Sequence, residues 1–345
     1  MPPKFSFKLD AATIEQDPQI YALNEAGREL VLRAFMFQKG GIYSVDGEKL
    51  GRLGADDLDW SSKEKVGHGA SGSVYCVKMK SDPNSILAVK CIPIGSKTHR
   101  DEVERELTFL LSKYDSQYIV ETFGAFWDSD EHTISIPMEW MAYSLADVSK
   151  FNLGVGEEAV RAIAFQLLHD VAYLHDIKTV IHRDLKPGNV LMNSEGYVKV
   201  GDFGVSKVVQ TLNVSSTYVG TMLFMAPERL EQGDYTYSSD VWSLGLTIIA
   251  AATGRNPWAP PDELNLFQLL KKISGDDIPT LPASFTPEAQ DFVKQCLRRE
   301  PGDRPDCRAL LEHPFFAECT LESARATCKM LLTQTSRLVS SAAAK

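Results

Sequence analysis

The sequence predicts an α+β fold of two lobes, a small β-rich lobe with one main helix followed by a larger, mostly helical lobe. Three observations carry this expectation. Val74, Cys76 and Lys78 alternate, and Ala88 to Ile92 is an apolar run interrupted by one lysine, which are strand patterns. Between Thr98 and Lys113, Val103, Leu107, Leu110 and Leu111 recur at helical spacing, a single helix among strands. Beyond a strand-rich run from Ile119 to Trp140 the period becomes helical, with Ile163, Leu167, Val171 and Leu174 on one face. The expected division is an extension over 1–59, a first lobe over 60–141, a second over 142–316 and a terminal helix and tail over 317–345.

Composition narrows the possible roles. With 44% hydrophobic and 24% charged residues the chain has a globular balance. A net charge of −10 and a pI near 5.3 weigh against nucleic acid as a partner, because phosphate backbones select concentrated basic surface. The six cysteines show neither paired zinc spacing nor the density of a disulfide scaffold, so reduced thiols are expected. Met1-Pro2-Pro3-Lys4 is no signal sequence, and the longest apolar stretch, near Leu244 to Ala252, is too short to span a bilayer. A monomeric cytoplasmic protein without membrane insertion is the expectation.

In the extension, Phe5, Phe7 and Leu9 alternate with Ser6 and Lys8, a pattern that suits either a peptide docked in a partner's groove or a self-packed strand. Around Lys39-Gly40-Gly41 a hairpin competes with a helix over Glu25 to Gln38. Next, Val66-Gly67-His68-Gly69-Ala70-Ser71-Gly72-Ser73-Val74 is a glycine-rich loop whose amides can approach phosphates without an intervening Cβ. A dinucleotide fold would need a helix directly after it, whereas β-type alternation continues.

The stretch Ile181-His182-Arg183-Asp184-Leu185-Lys186-Pro187-Gly188-Asn189 places a carboxylate, an ammonium and an amide along one short loop. Together these can orient a hydroxyl, neutralise a phosphoryl oxygen and help to hold a metal. Thirteen residues past Asn189, Asp202-Phe203-Gly204 adds a second carboxylate. Magnesium is a hard ion that prefers oxygen ligands, which suits Asn189 and Asp202.

These phrases resemble the protein kinases: the glycine loop, the strand lysine, the loop at Asp184, Asp202-Phe203-Gly204 and Ala226-Pro227-Glu228 all match that family's motifs. The resemblance implies a bilobal kinase fold with an ATP cleft between the lobes. It implies catalytic roles for Asp184 and Lys186, phosphate contact by Lys90 supported by Glu106, which borders the helical stripe, and Mg2+ at Asn189 and Asp202. It implies nucleotide contacts from Val66, Gly67, His68, Gly69, Ala70, Ser71, Gly72, Val74, Ala88, Lys90, Met138, Glu139, Met141 and Leu191. It also implies that Asp240 fixes the catalytic-loop backbone and that Arg304 pairs with Glu228.

Within the kinases, Gly201-Asp202-Phe203-Gly204-Val205-Ser206, Tyr218-Val219-Gly220-Thr221 and Leu281-Pro282 look like the MAP kinase kinases. That implies a dual-specificity enzyme with a downstream MAP kinase substrate and an upstream activating kinase. The animal-type first phosphosite falls on Asn213, so the wider plant-type spacing selects Thr211 with Thr217, and Ser215 and Ser216 are lesser candidates. After Phe316, Leu321, Ala324, Cys328 and Leu331 mark an amphipathic helix, suited either to upstream docking or to packing on its own domain, and Ala342 to Lys345 are expected to be unstructured. A kinase of a neighbouring branch and a catalytically silent scaffold are the competing readings. A scaffold would have lost Lys90, Asp184, Asn189 or Asp202, and all four are present.

Overall fold

A computed structural model describes residues 21–23, 30–32, 35–44, 47–69, 72–94, 117–201, 222–230, 234–258, 268, 271–273, 275 and 278–343. The chain divides into two compact units, residues 1–114 with 121–140, and 115–120 with 141–345.

Among the described residues, the first unit contains two antiparallel sheets. In the extension, β1 (Tyr21–Leu23), β2 (Leu30–Leu32), β3 (Phe35–Gln38) and β4 (Gly41–Ser44) pair in sequential order. The hairpin alternative therefore holds at Lys39-Gly40: Gln38 lies opposite Gly41 across a two-residue turn, and the described part of the competing helix is strand. Leu30, Phe37 and Ile42 occupy one row across three strands and are fully buried, which supplies the reason for the sheet. Arg52 and Leu53 then donate their backbone N–H groups to the Phe123 carbonyl.

The second sheet has the order β5 (Leu58–Gly69), β6 (Gly72–Met79), β7 (Ile86–Pro93), β9 (Thr133–Glu139) and β8 (Phe126–Asp128). Side chains alternate across it. Val77, Leu87, Val89, Cys91 and Phe126 join Ala55 and Leu58 in a buried cluster, with Trp60 and Tyr75 against it. The helix expected between Thr98 and Lys113 lies outside the described residues.

The second unit is built on helices. Its longer helices among the described residues are α1 (Leu145–Asn152), α2 (Glu157–Ala172), α3 (Tyr237–Thr253), α4 (Pro287–Cys296) and α5 (Leu321–Ala343). Among them sits a small sheet of β10 (Tyr143–Ser144), β11 (Val190–Met192) and β12 (Val198–Val200). α3 is buried on nearly every side, including Val241, Trp242, Leu244, Leu246, Ile248 and Ile249, as a helix apolar around most of its circumference must be. α2 ends in a π-helical turn, Tyr173–Ile177, directly before the loop that carries Asp184.

The amphipathic terminal helix is present, and its apolar face turns inward: Ala324, Cys328, Leu331, Leu332 and Thr335 are buried. Asn152 of α1 donates to Thr335, and Gln166 of α2 donates to the Cys328 sulfur. Packing on its own domain is thus what the apolar stripe does. The expectation of an unstructured end is corrected at Ala342 and Ala343, where α5 continues because alanine is the strongest helix former and extends a helix already anchored by packing; Ala344 and Lys345 lie outside the described residues. No helix among the described residues is long and apolar enough to cross a membrane.

Candidate active site

In the first unit, strand register collects the predicted nucleotide-contacting side chains. Val74 lies opposite Lys90, and Lys90 opposite Ile136; two residues along, Cys76 faces Ala88 and Ala88 faces Met138. Opposed residues, and those two positions apart, share a face of a pleated sheet. Val74, Ala88, Lys90 and Met138 therefore share one face, opposite that of the buried cluster around Val77, Leu87 and Val89. β5 and β6 converge at the glycine loop, with Gly67 opposite Val74, His68 opposite Ser73 and Gly69 opposite Gly72. Lys90 is 7% exposed. A buried ammonium in a strand is costly unless an anion meets it, which makes a plain packing role a poor account of Lys90.

In the second unit, Pro187–Asn189 forms a 3-10 turn with Pro187 at its first position, where the missing N–H costs nothing. This turn folds the loop back on Asp184. The Lys186 ammonium donates to both Asp184 carboxylate oxygens, at 3.1 and 2.9 Å, and the Asn189 amide nitrogen donates to the Asp184 carbonyl at 2.8 Å and carboxylate at 3.0 Å. With that nitrogen committed, the amide oxygen is what Asn189 has to offer a hard cation. β11 then pairs with β12, and the Gly201 N–H donates to the Asn189 carbonyl at 2.8 Å. A Cβ on Gly201 would stand 2.6 Å from Leu191 Cδ1, so any side chain just before Asp202 would have to push the Leu191 side chain aside.

The loop backbone is clamped from below by Asp240, in the first turn of α3, where the helix dipole favours a carboxylate. Oδ2 accepts from the His182 N–H at 2.7 Å and lies 2.8 Å from His175 Nε2, while Oδ1 accepts from the Arg183 N–H at 2.9 Å. Arg183 adopts φ +70°, a left-handed conformation that a bulky residue holds only when its surroundings impose it. His182 is oriented as well: its Nδ1 accepts from the Asp184 N–H at 3.3 Å, which leaves the proton on Nε2 for the Gly201 carbonyl at 3.2 Å.

Arg304 carries no exposed side-chain surface and meets Glu228 bidentately at 2.7 and 2.8 Å. Its remaining donors go to the carbonyls of Ser238, Arg298 and Arg299. Burial alone would raise the Glu228 carboxyl, but the hydrogen bonds and charge of Arg304 hold it below the usual carboxylate range. The expected roles of Asp240 and Arg304 are both present in the structure.

Several sequence-selected residues fall outside the described set: Glu106, Asp202, Ala70, Ser71, Thr211 and Thr217. Glu139 ends β9 opposite Leu87, Met141 is buried in the second unit, and Leu191 is central in β11. Sequence reading missed His175, Gln166 and Asp170. Gln166 accepts from the Val198 N–H and donates to the Gly196 carbonyl, and Asp170 accepts from the Val200 N–H, so α2 positions the strand that leads to Asp202. Each looked like an ordinary helical residue because its partner lies 30 or more positions away. The six cysteines are all unpaired with one another. Burial raises every one of these thiols, that of Cys328 to about 12, so none is a ready thiolate.

Comparison with known proteins agrees with this arrangement. Residues 60–316 match the protein kinase domain family. Mitogen-activated protein kinase kinase 2 of Arabidopsis thaliana is 36% identical over 77% of this chain and 74% of its own length. Mitogen-activated protein kinase kinase 1c of Physcomitrium patens is 38% identical over 73% and 74%, and Protein kinase wis1 of Schizosaccharomyces pombe 38% over 73% and 42%. A loop clamped around an aspartate, a matching domain over most of the chain and plant relatives named mitogen-activated protein kinase kinases lead to one conclusion: the chain belongs to the MAP kinase kinase family of protein kinases.

Proposed function

We propose that this chain transfers the γ-phosphate of ATP to a threonine and a tyrosine in the activation loop of a MAP kinase, after an upstream kinase has phosphorylated its own activation segment at Thr211 and Thr217. The observation that carries this reading is the Asp184 carboxylate, gripped by Lys186 and Asn189 on a loop whose backbone Asp240 holds. In this role Asp184 orients the acceptor hydroxyl and takes its proton, and Lys186 offsets the charge on the transferred group. Lys90, supported by Glu106, binds the α and β phosphates, while the glycine loop covers them and Met138, Glu139, Met141 and Leu191 contact the base.

Asn189 and Asp202 would hold Mg2+, and the commitment of the Asn189 nitrogen to Asp184 fits an oxygen donor there. When bound, magnesium supplies positive charge to the phosphate oxygens. Docking of the substrate by the segment from Lys4 to Leu9 belongs to the same reading, as does action in the cytoplasm as a monomer.

The test is phosphate transfer to a kinase-dead MAP kinase by the Thr211→Glu, Thr217→Glu enzyme. Phosphothreonine and phosphotyrosine are both expected on the substrate, and Asp184→Ala is expected to lower transfer on the order of 10³-fold. Transfer unchanged in Asp184→Ala refutes the assignment of that residue. A product carrying phosphothreonine alone moves the enzyme to a neighbouring serine/threonine branch.

A further inference from the structure

The hairpin of β11 and β12 grows from Asn189. Val190, the next residue, pairs with Val200, and the Gly201 N–H returns to the Asn189 carbonyl at 2.8 Å. Strands of three residues joined in a ribbon are marginal in water, so the hairpin needs support from outside itself. Its far end receives that support from the terminal helix. Glu195 accepts from the Lys329 ammonium at 3.3 Å, a Cβ on Gly196 would stand 2.1 Å from the Arg325 carbonyl oxygen, and Arg325 Cζ lies 3.8 Å from the Tyr197 ring centroid. Three consecutive turn residues thus meet α5.

Gln166 of α2 stands where the hairpin and α5 join, and it is 3% exposed. Its Oε1 accepts from the Val198 N–H at 3.2 Å, while Nε2 donates to the Gly196 carbonyl at 3.2 Å and to the Cys328 sulfur of α5 at 3.4 Å. Both amide hydrogens are used. Reversing the amide would set its NH2 against the Val198 N–H and its oxygen against the Gly196 carbonyl, so one orientation alone satisfies the site. One turn along α2, Asp170 accepts from the Val200 N–H at 3.1 Å and fixes the other end of β12. An apolar side chain could fill the space of Gln166, but it could not set the height of both strands against two helices.

We propose that Gln166 is a positioning residue for Asn189 and that α5 completes it through Cys328, so that the terminal helix sets the affinity of the site for Mg2+. This rests on the assignment of Mg2+ to Asn189 and Asp202 above. Groups that orient a metal ligand from behind typically change metal affinity about 10- to 100-fold when removed. Gln166 acts through the hairpin backbone, which places its effect at the lower end of that range.

The experiment uses the full chain and follows the rise in melting temperature produced by ADP as MgCl2 is titrated, which reads metal binding without turnover. Gln166→Met, similar in length and without the amide, is expected to need about tenfold more Mg2+ for half the rise. Hydrogen exchange at the Val198 and Gly201 amides should quicken in the same variant. Cys328→Ala leaves one Nε2 hydrogen without an acceptor and is expected to need about threefold more Mg2+, whereas Cys328→Ser keeps an acceptor and should match the parent. Asn152→Ala loosens α5 where Thr335 meets α1, away from the hairpin, and should melt lower with its Mg2+ requirement within about twofold of the parent. A folded Gln166→Met with the parent's Mg2+ requirement overturns the proposal. So does an Asn152→Ala requirement raised as far as that of Gln166→Met, which would mean general loosening. Should Gln166→Met fail to fold, the two Cys328 variants decide, and equal Mg2+ requirements in alanine and serine refute the coupling to α5. A parent protein that shows no Mg2+-dependent rise with ADP is a different failure, that of the metal assignment itself, and the proposal falls with it.

Discussion

Asp240→Asn isolates the clamp beneath the catalytic loop with almost no change of shape. The carboxylate accepts from three donors, two at Oδ2 and one at Oδ1. An asparagine keeps most of these bonds by placing its oxygen at the Oδ2 position, which sets its NH2 against the Arg183 N–H. That amide then lacks an acceptor at a buried site, at about 1–3 kcal/mol, and the two surviving bonds fall from charge-assisted to neutral strength, at about 1 kcal/mol each. The sum is about 3–5 kcal/mol, part of it carried by the left-handed Arg183 backbone that the clamp enforces. At about 2–4 °C per kcal/mol for a unit of this size, the melting temperature should fall on the order of 10 °C. Release of Arg183 also displaces Asp184, and a shift of about 1 Å in a reacting group costs about 10²-fold in rate. The assays are thermal unfolding and kcat with saturating ATP. A variant that melts within about 2 °C of the parent and keeps its kcat would refute the clamp as the device that positions Asp184.

Three further outcomes are expected. Glu228→Gln should destabilise by about 3–5 kcal/mol near neutral pH, because it leaves the Arg304 guanidinium buried without its counter-charge. Since Glu228 has a depressed folded pKa, its contribution is complete above the unfolded glutamate value of about 4.3 and is lost as pH falls through the folded value, so the melting curves of variant and parent should converge in acid. Gly196 has φ +83°, and a Cβ there would lie 2.1 Å from the Arg325 carbonyl of α5; Gly196→Ala should cost about 2–4 kcal/mol and reduce hydrogen-exchange protection of α5. Phosphopeptide mapping of the enzyme after activation should find Thr211 and Thr217 modified, and both unmodified would reject the wide-spacing assignment.

Much of the site was legible in the sequence because phosphoryl transfer demands particular groups, and the loop places Asp184, Lys186 and Asn189 within one short segment. The shared face of Val74, Ala88, Lys90 and Met138 follows from strand alternation once the pairing register is known, and the register is not a local property. Around Lys39-Gly40 the spacing fitted helix and hairpin equally well; the buried row of Leu30, Phe37 and Ile42 decided between them. The terminal helix showed its apolar stripe plainly but not its destination, because a stripe states that a face must be buried and leaves open against what.

By itself the sequence determined the chemical groups and the class of reaction, since those reside in short motifs whose residue types the chemistry requires. Only the folded chain revealed what holds them: Asp240 against His182 and Arg183, Arg304 against Glu228, and Gln166 against the turn at Gly196. These partners are 30 to 76 positions apart. A carboxylate or guanidinium acquires such a partner only when burial makes its isolation costly, and burial is a property of the three-dimensional packing.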